Sequence, residues 1–186
     1  GRAWAGERDI TDKREWELEP GYYTFMFGER EDGGKLDWIA ITADGTTRIN
    51  TIESEEDFRT RPKFTPAGRV SVGDEPVHIE AENASPVSGY YIEKAEDVYS
   101  GYIAMADVRG YDRQSNLTGD QMHFPIDVEQ AGTYYIFAKV QAYSQAYDSF
   151  YIGVDGDVEY SEEDLFLFPE IYDQWIRTIV TTGEDR

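Results

Sequence analysis

The sequence has no cysteine, so disulfides, thiolate nucleophiles and cysteine zinc sites are excluded. Histidine occurs twice, at His78 and His123, which leaves imidazole chemistry few candidates. Basic residues are scarce: 17 Lys and Arg stand against 38 Asp and Glu, for a net charge of -21. That charge repels phosphate backbones and anionic headgroups, so neither nucleic acid nor a membrane surface is an expected partner. No apolar run approaches the roughly 20 residues of a membrane-spanning helix, and no long window carries a 3.6-residue apolar period. What an acidic surface does favour is solubility and the binding of hard cations such as Ca²⁺ through carboxylate and carbonyl oxygens.

Strand signals fill the space that helices leave. Residues 22–30, "YYTFMFGER", alternate in polarity; Asp32, Gly33 and Gly34 supply a turn, and "KLDWIAIT" (35–42) returns as the second arm of a hairpin. The same period-two pattern recurs in "VHIEAE" (77–82), "QMHFPIDV" (121–128), "TYYIFAKVQAY" (133–143) and "SFYIGVDG" (149–156), the last ending in an Asp155-Gly156 turn. The 186 residues suit a single all-β domain, or one domain with an appendage. Aromatics form 15% of the chain, enough to cover strands and to offer rings to a ligand. Residues 51–75, with mixed charge and two prolines, read as a linker between a front segment, 1–50, and a main body, 76–186.

Glycoside-hydrolysing carboxylate pairs can be drawn anywhere among 38 acids, and none is singled out by its neighbours. A Ser-His-Asp arrangement would have to recruit His78 or His123 from within strands, with no nucleophile-elbow sequence. Phosphate-binding glycine loops are absent as well. The chain is therefore expected not to be an enzyme.

The opening strand "IEAEN" (79–83), followed by "SGYIAMAD" (100–107), Gly119-Asp120 ahead of "MHFPIDV", "AGTYYIFAKV" and "FYIGVDG", resembles the carbohydrate-binding modules of families 6 and 35. In those families the module closes with a Trp-containing segment, a Gly-Tyr strand and a "REDG-K-D-I-T"-like hairpin. Here Trp16, "LEPGYYTF" and "GEREDGGKLDWIAIT" supply such pieces, but they precede the opening strand. The resemblance implies a β-sandwich jelly roll, split or circularly permuted in chain order. Three arrangements follow: closure within one chain, one period of a tandem array, or donation of the front strands to a neighbour. A linker of about 30 residues spans up to roughly 100 Å, enough for any of them. The expectation favoured here is sharing of strands between successive units, copies of the chain assembling head to tail into an extracellular or cell-surface fibre. A calcium-stabilised polysaccharide-binding module of a secreted or surface glycan-active protein is the alternative.

The resemblance also implies a structural calcium held by the opening-strand glutamates and an aspartate of the last strand, which match Glu80, Glu82 and Asp37, with a backbone carbonyl near Ser100 as a further ligand. Glu80 and Glu82 are two apart, hence expected on one strand face, where their charges repel unless a cation lies between them. For sugar contact the loop-like aromatics Tyr90, Tyr91, Trp175 and Trp4 are the candidates, whereas Trp16 and Trp38 occupy strand positions and are expected to pack. Asn83-Ala84-Ser85 and Asn116-Leu117-Thr118 are N-glycosylation sequons, expected on the exposed surface of an extracellular module.

Overall fold

A computed structural model describes residues 13–30, 33–43, 69–73, 75–84, 90–96, 98, 101–106, 121–156 and 162–181. Among the described residues it is an all-β sandwich of two packed sheets. No helix there is long and apolar enough to cross a membrane.

The five-stranded sheet runs β11 (Leu165–Leu167), β10 (Ser149–Val154), β2 (Gly21–Glu29), β8 (Gln121–Val128), β4 (Val70–Val72). The seven-stranded sheet follows the path β1 (Trp16–Leu18), β9 (Gly132–Gln141), β3 (Lys35–Thr42), β7 (Tyr102–Ala106), β6 (Tyr90–Lys94). Two further strands join it, β12 (Ile176–Ile179) on β9 and β5 (Val77–Glu80) on β3. The alternation read in "QMHFPIDV" holds residue by residue: Met122, Phe124, Ile126 and Val128 are buried between the sheets. Phe25 and Phe27 of β2 face them, with Phe27 edge-on to Phe124 at 5.5 Å.

The front and rear segments share both sheets. Strand β2 is the middle strand of its sheet, paired with β8 on one edge and β10 on the other. Strand β3 pairs with β9 along one edge and with β5 and β7 along the other. The expected hairpin between β2 and β3 does not form, because the two strands lie in opposite sheets. The turn between them crosses the sandwich instead. Gly33, at φ 93°, takes a left-handed conformation with the Tyr147 ring 3.3 Å from where a Cβ would sit. Both strands are apolar enough to be central, so each recruits partners on two edges rather than pairing with the other.

The expected linker is also not structureless throughout. Val70–Val72 forms β4, parallel to Ile126–Val128 of β8; residues 51–68 lie outside the described residues. Trp16 and Trp38 are buried, as expected of strand residues.

Arg14 ties the two sheets together just ahead of β1. Its backbone N–H donates to Val180 O, beside β12, while Nη1 donates to Ile152 O of β10 and Nη2 to Asp164 Oδ1 at 3.0 Å. The guanidinium also lies 5.3 Å from the Trp16 ring centre. Arg14→Ala removes the guanidinium donor from the Ile152 carbonyl and from the buried Asp164 carboxylate. Stability is expected to fall by about 1–3 kcal/mol, read as a lower urea midpoint at unchanged slope.

Candidate functional site

A second, smaller apolar cluster of Trp38, Ala40, Phe137 and Ile179 occupies the outer face of the seven-stranded sheet. Alternation explains the division: Ile39, Ile41, Ile136 and Ala138 point into the sandwich, and their neighbours point out. Beside this cluster sits a group of charges that sequence reading assembled only in part.

Asp37 is placed by a β-bulge. Leu36 pairs with Val140 and Trp38 with Lys139, so Asp37 is an extra residue on β3. The bulge turns two consecutive side chains, Asp37 and Trp38, to the outer side before Ile39 returns to the core. In consequence Asp37 meets Lys139, whose Nζ lies 2.7 Å from Asp37 Oδ2. Both residues are buried, Asp37 to 1% exposure. Trp38 pairs with Glu80 across β3 and β5, which brings Glu80 alongside Asp37. His78, two residues earlier on β5, lies 3.1 Å from Glu80 Oε1 through Nε2 and stacks obliquely on Trp38 at 4.9 Å.

Glu82 does not share a strand face with Glu80. Strand β5 ends at Glu80, and Glu82 lies on the 3-10 turn Ala81–Asn83, which packs against β3 and β7. The turn nevertheless keeps Glu82 near enough for its charge to act on Asp37. Burial is the largest influence on the Asp37 carboxyl and, with the Glu80 and Glu82 charges adding to it against the pull of Lys139, raises its pKa from 3.8 to about 7.

The structure thus brings Asp37 of β3 beside Glu80 of β5, with Glu82 on the turn that follows. The fit to a hard cation can be tested on Asp37: Oδ2 is engaged by Lys139, whereas Oδ1 is buried and accepts no hydrogen bond among the described residues. A buried carboxylate oxygen without a donor is costly, and a cation is one way to satisfy it. One oxygen each of Glu80 and Glu82 is likewise shut off from solvent. Among the described residues no group of three or more Asp, Glu or His side chains is placed so that it could hold a metal ion, and Ser100 lies outside them.

The aromatic candidates are placed differently from expectation. Tyr90 is not on a loop: it lies in β6, 7% exposed, with its ring 6.2 Å from Phe150, so it belongs to the core. Tyr91 follows it in the same strand. Trp175, just before β12, is half-buried, and the Lys139 ammonium lies 5.4 Å from its ring centre. That face is committed to a protein cation. Trp4 and Asn116 lie outside the described residues. Asn83 closes the turn that carries Glu82 and is only partly exposed.

Sequence reading missed a better aromatic surface. Tyr143 and Tyr147, 55% and 37% exposed, flank the segment between β9 and β10. Ser144 caps the 3-10 turn Gln145–Tyr147, its Oγ accepting from Ala146 N–H. The buried Asp148 anchors the far side, its carbonyl accepting from Phe168 N–H at 2.7 Å and its carboxylate from the Tyr172 hydroxyl. Lys35 Nζ lies over the Tyr143 ring at 4.8 Å and reaches its hydroxyl at 3.1 Å. The available signal was "AYSQAYD" itself, two tyrosines four apart in a polar turn. As for imidazoles, His123 Nε2 lies 2.8 Å from Gln121 Oε1, and burial lowers the His123 pKa.

Comparison with known proteins finds no matching family model, no matching curated protein and no matching solved structure.

Proposed function

We propose that this chain is a non-catalytic, calcium-stabilised carbohydrate-binding module of the kind resembled by families 6 and 35, acting outside the cell. The observation that carries this reading is the register that sets Glu80 of β5 alongside Asp37 of β3, with the Glu82 charge acting on the same carboxyl. Residues matched by motif in two separate segments lie on paired strands, which supports the likeness. Asp37, Glu80 and Glu82 would hold the ion, which would add its charge to that of Lys139 and link the front segment to the opening strand.

Sugar contact is assigned to Tyr143 and Tyr147 rather than to Tyr90 and Trp175. Stacking needs exposed ring surface; Tyr143 and Tyr147 are 55% and 37% exposed on a turn held by Ser144 and Asp148, with Lys35 over one side of the Tyr143 ring. Lys35 adds donors beside the ring. Pairing of β2 and β3 within the chain supports the module reading over head-to-tail exchange of strands.

Calorimetric titration against soluble glucans, xylans, galactans and mannans tests this reading. At least one class is expected to bind, and Tyr143→Ala and Tyr147→Ala are each expected to weaken it about tenfold, roughly 1.4 kcal/mol. Unaltered affinity in the double variant would remove the platform, and silence across the panel would remove the glycan reading.

A further inference from the structure

The two signs of charge are placed differently in this fold. Basic side chains turn inward or lie down on rings. Arg14 gives its guanidinium to Ile152 O and Asp164, Lys139 is buried beside Asp37, and Arg30 Nη1 donates to Ser149 Oγ at 2.8 Å. Lys35 and Arg69 lie over the rings of Tyr143 and Tyr22, 4.8 and 4.6 Å from the ring centres. Acids hold the surface instead. Glu15, Glu17, Glu19, Glu93, Glu96 and Glu129 are all exposed, while the exposed bases among the described residues are Arg69 and Lys94. Tyr135 and Thr133 donate their hydroxyls to Glu15 and Glu17, neutral donors that leave the charge in place.

We infer that the fold is built for concentrated salt: dissolved monovalent cations supply the countercharge that its own bases do not, and the sandwich reaches full stability only where they stand at about molar concentration. Distances decide this. Glu15, Glu17 and Glu19 recur at every second position along the edge strand β1, so neighbours share a face about 7 Å apart. In about 0.1 M salt the screening length is about 10 Å and their repulsion is felt; in about 1 M it is about 3 Å and the repulsion is largely screened. The other face of β1 carries Trp16 and Leu18 into the core, so repulsion along the row works directly against the pairing of β1 with β9. A net charge of -21 repeats the conflict over the rest of the surface. The inward placement of the bases fits the same medium. A largely buried pair such as Arg14 with Asp164 is screened far less than an exposed one, so cations are kept where salt does not reach and omitted where salt replaces them.

Thermal melts of the full chain in about 0.05 M and about 2 M NaCl or KCl, with EDTA throughout, test this screening. A variant carrying Glu15→Gln, Glu17→Gln and Glu19→Gln is melted beside wild type; it keeps shape and acceptor oxygens and loses the charge. Wild type is expected to melt on the order of 10 °C higher in the concentrated salt. The variant should melt above wild type in dilute salt and gain less from concentrated salt. Sucrose, which stabilises folds by exclusion from their surface, should raise both proteins alike. A wild type that folds only in concentrated salt upholds the inference. A wild-type melting temperature that stays level or falls with salt overturns it. So does an equal salt gain in variant and wild type, because salt would then act as sucrose does. Should the variant fold in neither salt, Glu93→Gln with Glu96→Gln, away from β1, must narrow the same gap or the inference falls. None of these outcomes depends on calcium or on glycan binding.

Discussion

Residues 69–186 expressed without the front segment are expected to remain unfolded or to aggregate, and a separate 1–50 fragment added to them should restore a β-sheet circular dichroism spectrum and a cooperative melt. The reason is positional. Removing β2 and β3 takes the middle strand from the five-stranded sheet and, from the seven-stranded sheet, the strand to which β5, β7 and β9 are all joined. Phe25, Phe27, Leu36, Ile39 and Ile41 go with them, all fully buried. At about 1.5–3 kcal/mol for each large apolar side chain, the loss is on the order of 10 kcal/mol. A domain of this kind has only about 5–15 kcal/mol of net stability. Exposed edges on β8, β9 and β10 would then invite pairing between chains. A well-dispersed NMR spectrum from 69–186 alone would defeat the expectation. So would failure of the 1–50 fragment to change the spectrum, because the strands would then not be supplied by that segment.

The sheets were legible in the sequence where one face of a strand is buried, and less so where both are. "QMHFPIDV" reads cleanly because Gln121, His123, Pro125 and Asp127 point away from the core while their neighbours point in. "KLDWIAIT" gives no such signal, since Trp38 and Ala40 cover the outer face as Ile39 and Ile41 cover the inner one. Strand identity was plain there, but partner choice was not, and this is why a hairpin was expected where the chain crosses between sheets. Pairing depends on which edges the rest of the chain presents, and local periodicity carries nothing about that.

Within the candidate site, identity was legible and geometry was not. Asp37, Glu80 and Glu82 could be singled out by motif. The bulge that turns Asp37 toward Lys139 has no sequence mark, because one inserted residue looks like continued strand. Glu82 was assigned to a strand face that ends two residues before it. Lys139 was overlooked because a single lysine in "YYIFAKVQ" looks like an outward-facing strand residue, which in alternation it is; its burial comes from Trp175 and Asp37, neither near it in sequence. Tyr90 misled for the opposite reason: the Ser-Gly-Tyr-Tyr sequence suggests a loop, yet Phe150 from the other sheet holds that ring in the core.

In calcium-free solution the stability of the protein is expected to rise as pH falls from about 8 to about 5, and Asp37→Asn is expected to abolish most of that rise. In the folded protein the Asp37 carboxyl keeps its proton up to about 7, because burial disfavours the charge more than Lys139 favours it. In the unfolded chain the proton leaves near 3.8. Between those values the folded state binds more protons, so its advantage is complete below about 4 and is lost as pH rises through about 7. The separation corresponds to at most about 4 kcal/mol. His123 acts in the other direction: burial favours its neutral form in the folded protein, so its contribution is lost as pH falls below its ordinary 6.5. It is present in both proteins and cancels in the comparison, as does most of the self-repulsion of a chain at -21. Urea midpoints in EDTA at pH 5, 6, 7 and 8 therefore isolate Asp37 as a difference of slopes. Parallel slopes would mean that Asp37 is ionised throughout, held so by Lys139 strongly enough to outweigh its burial.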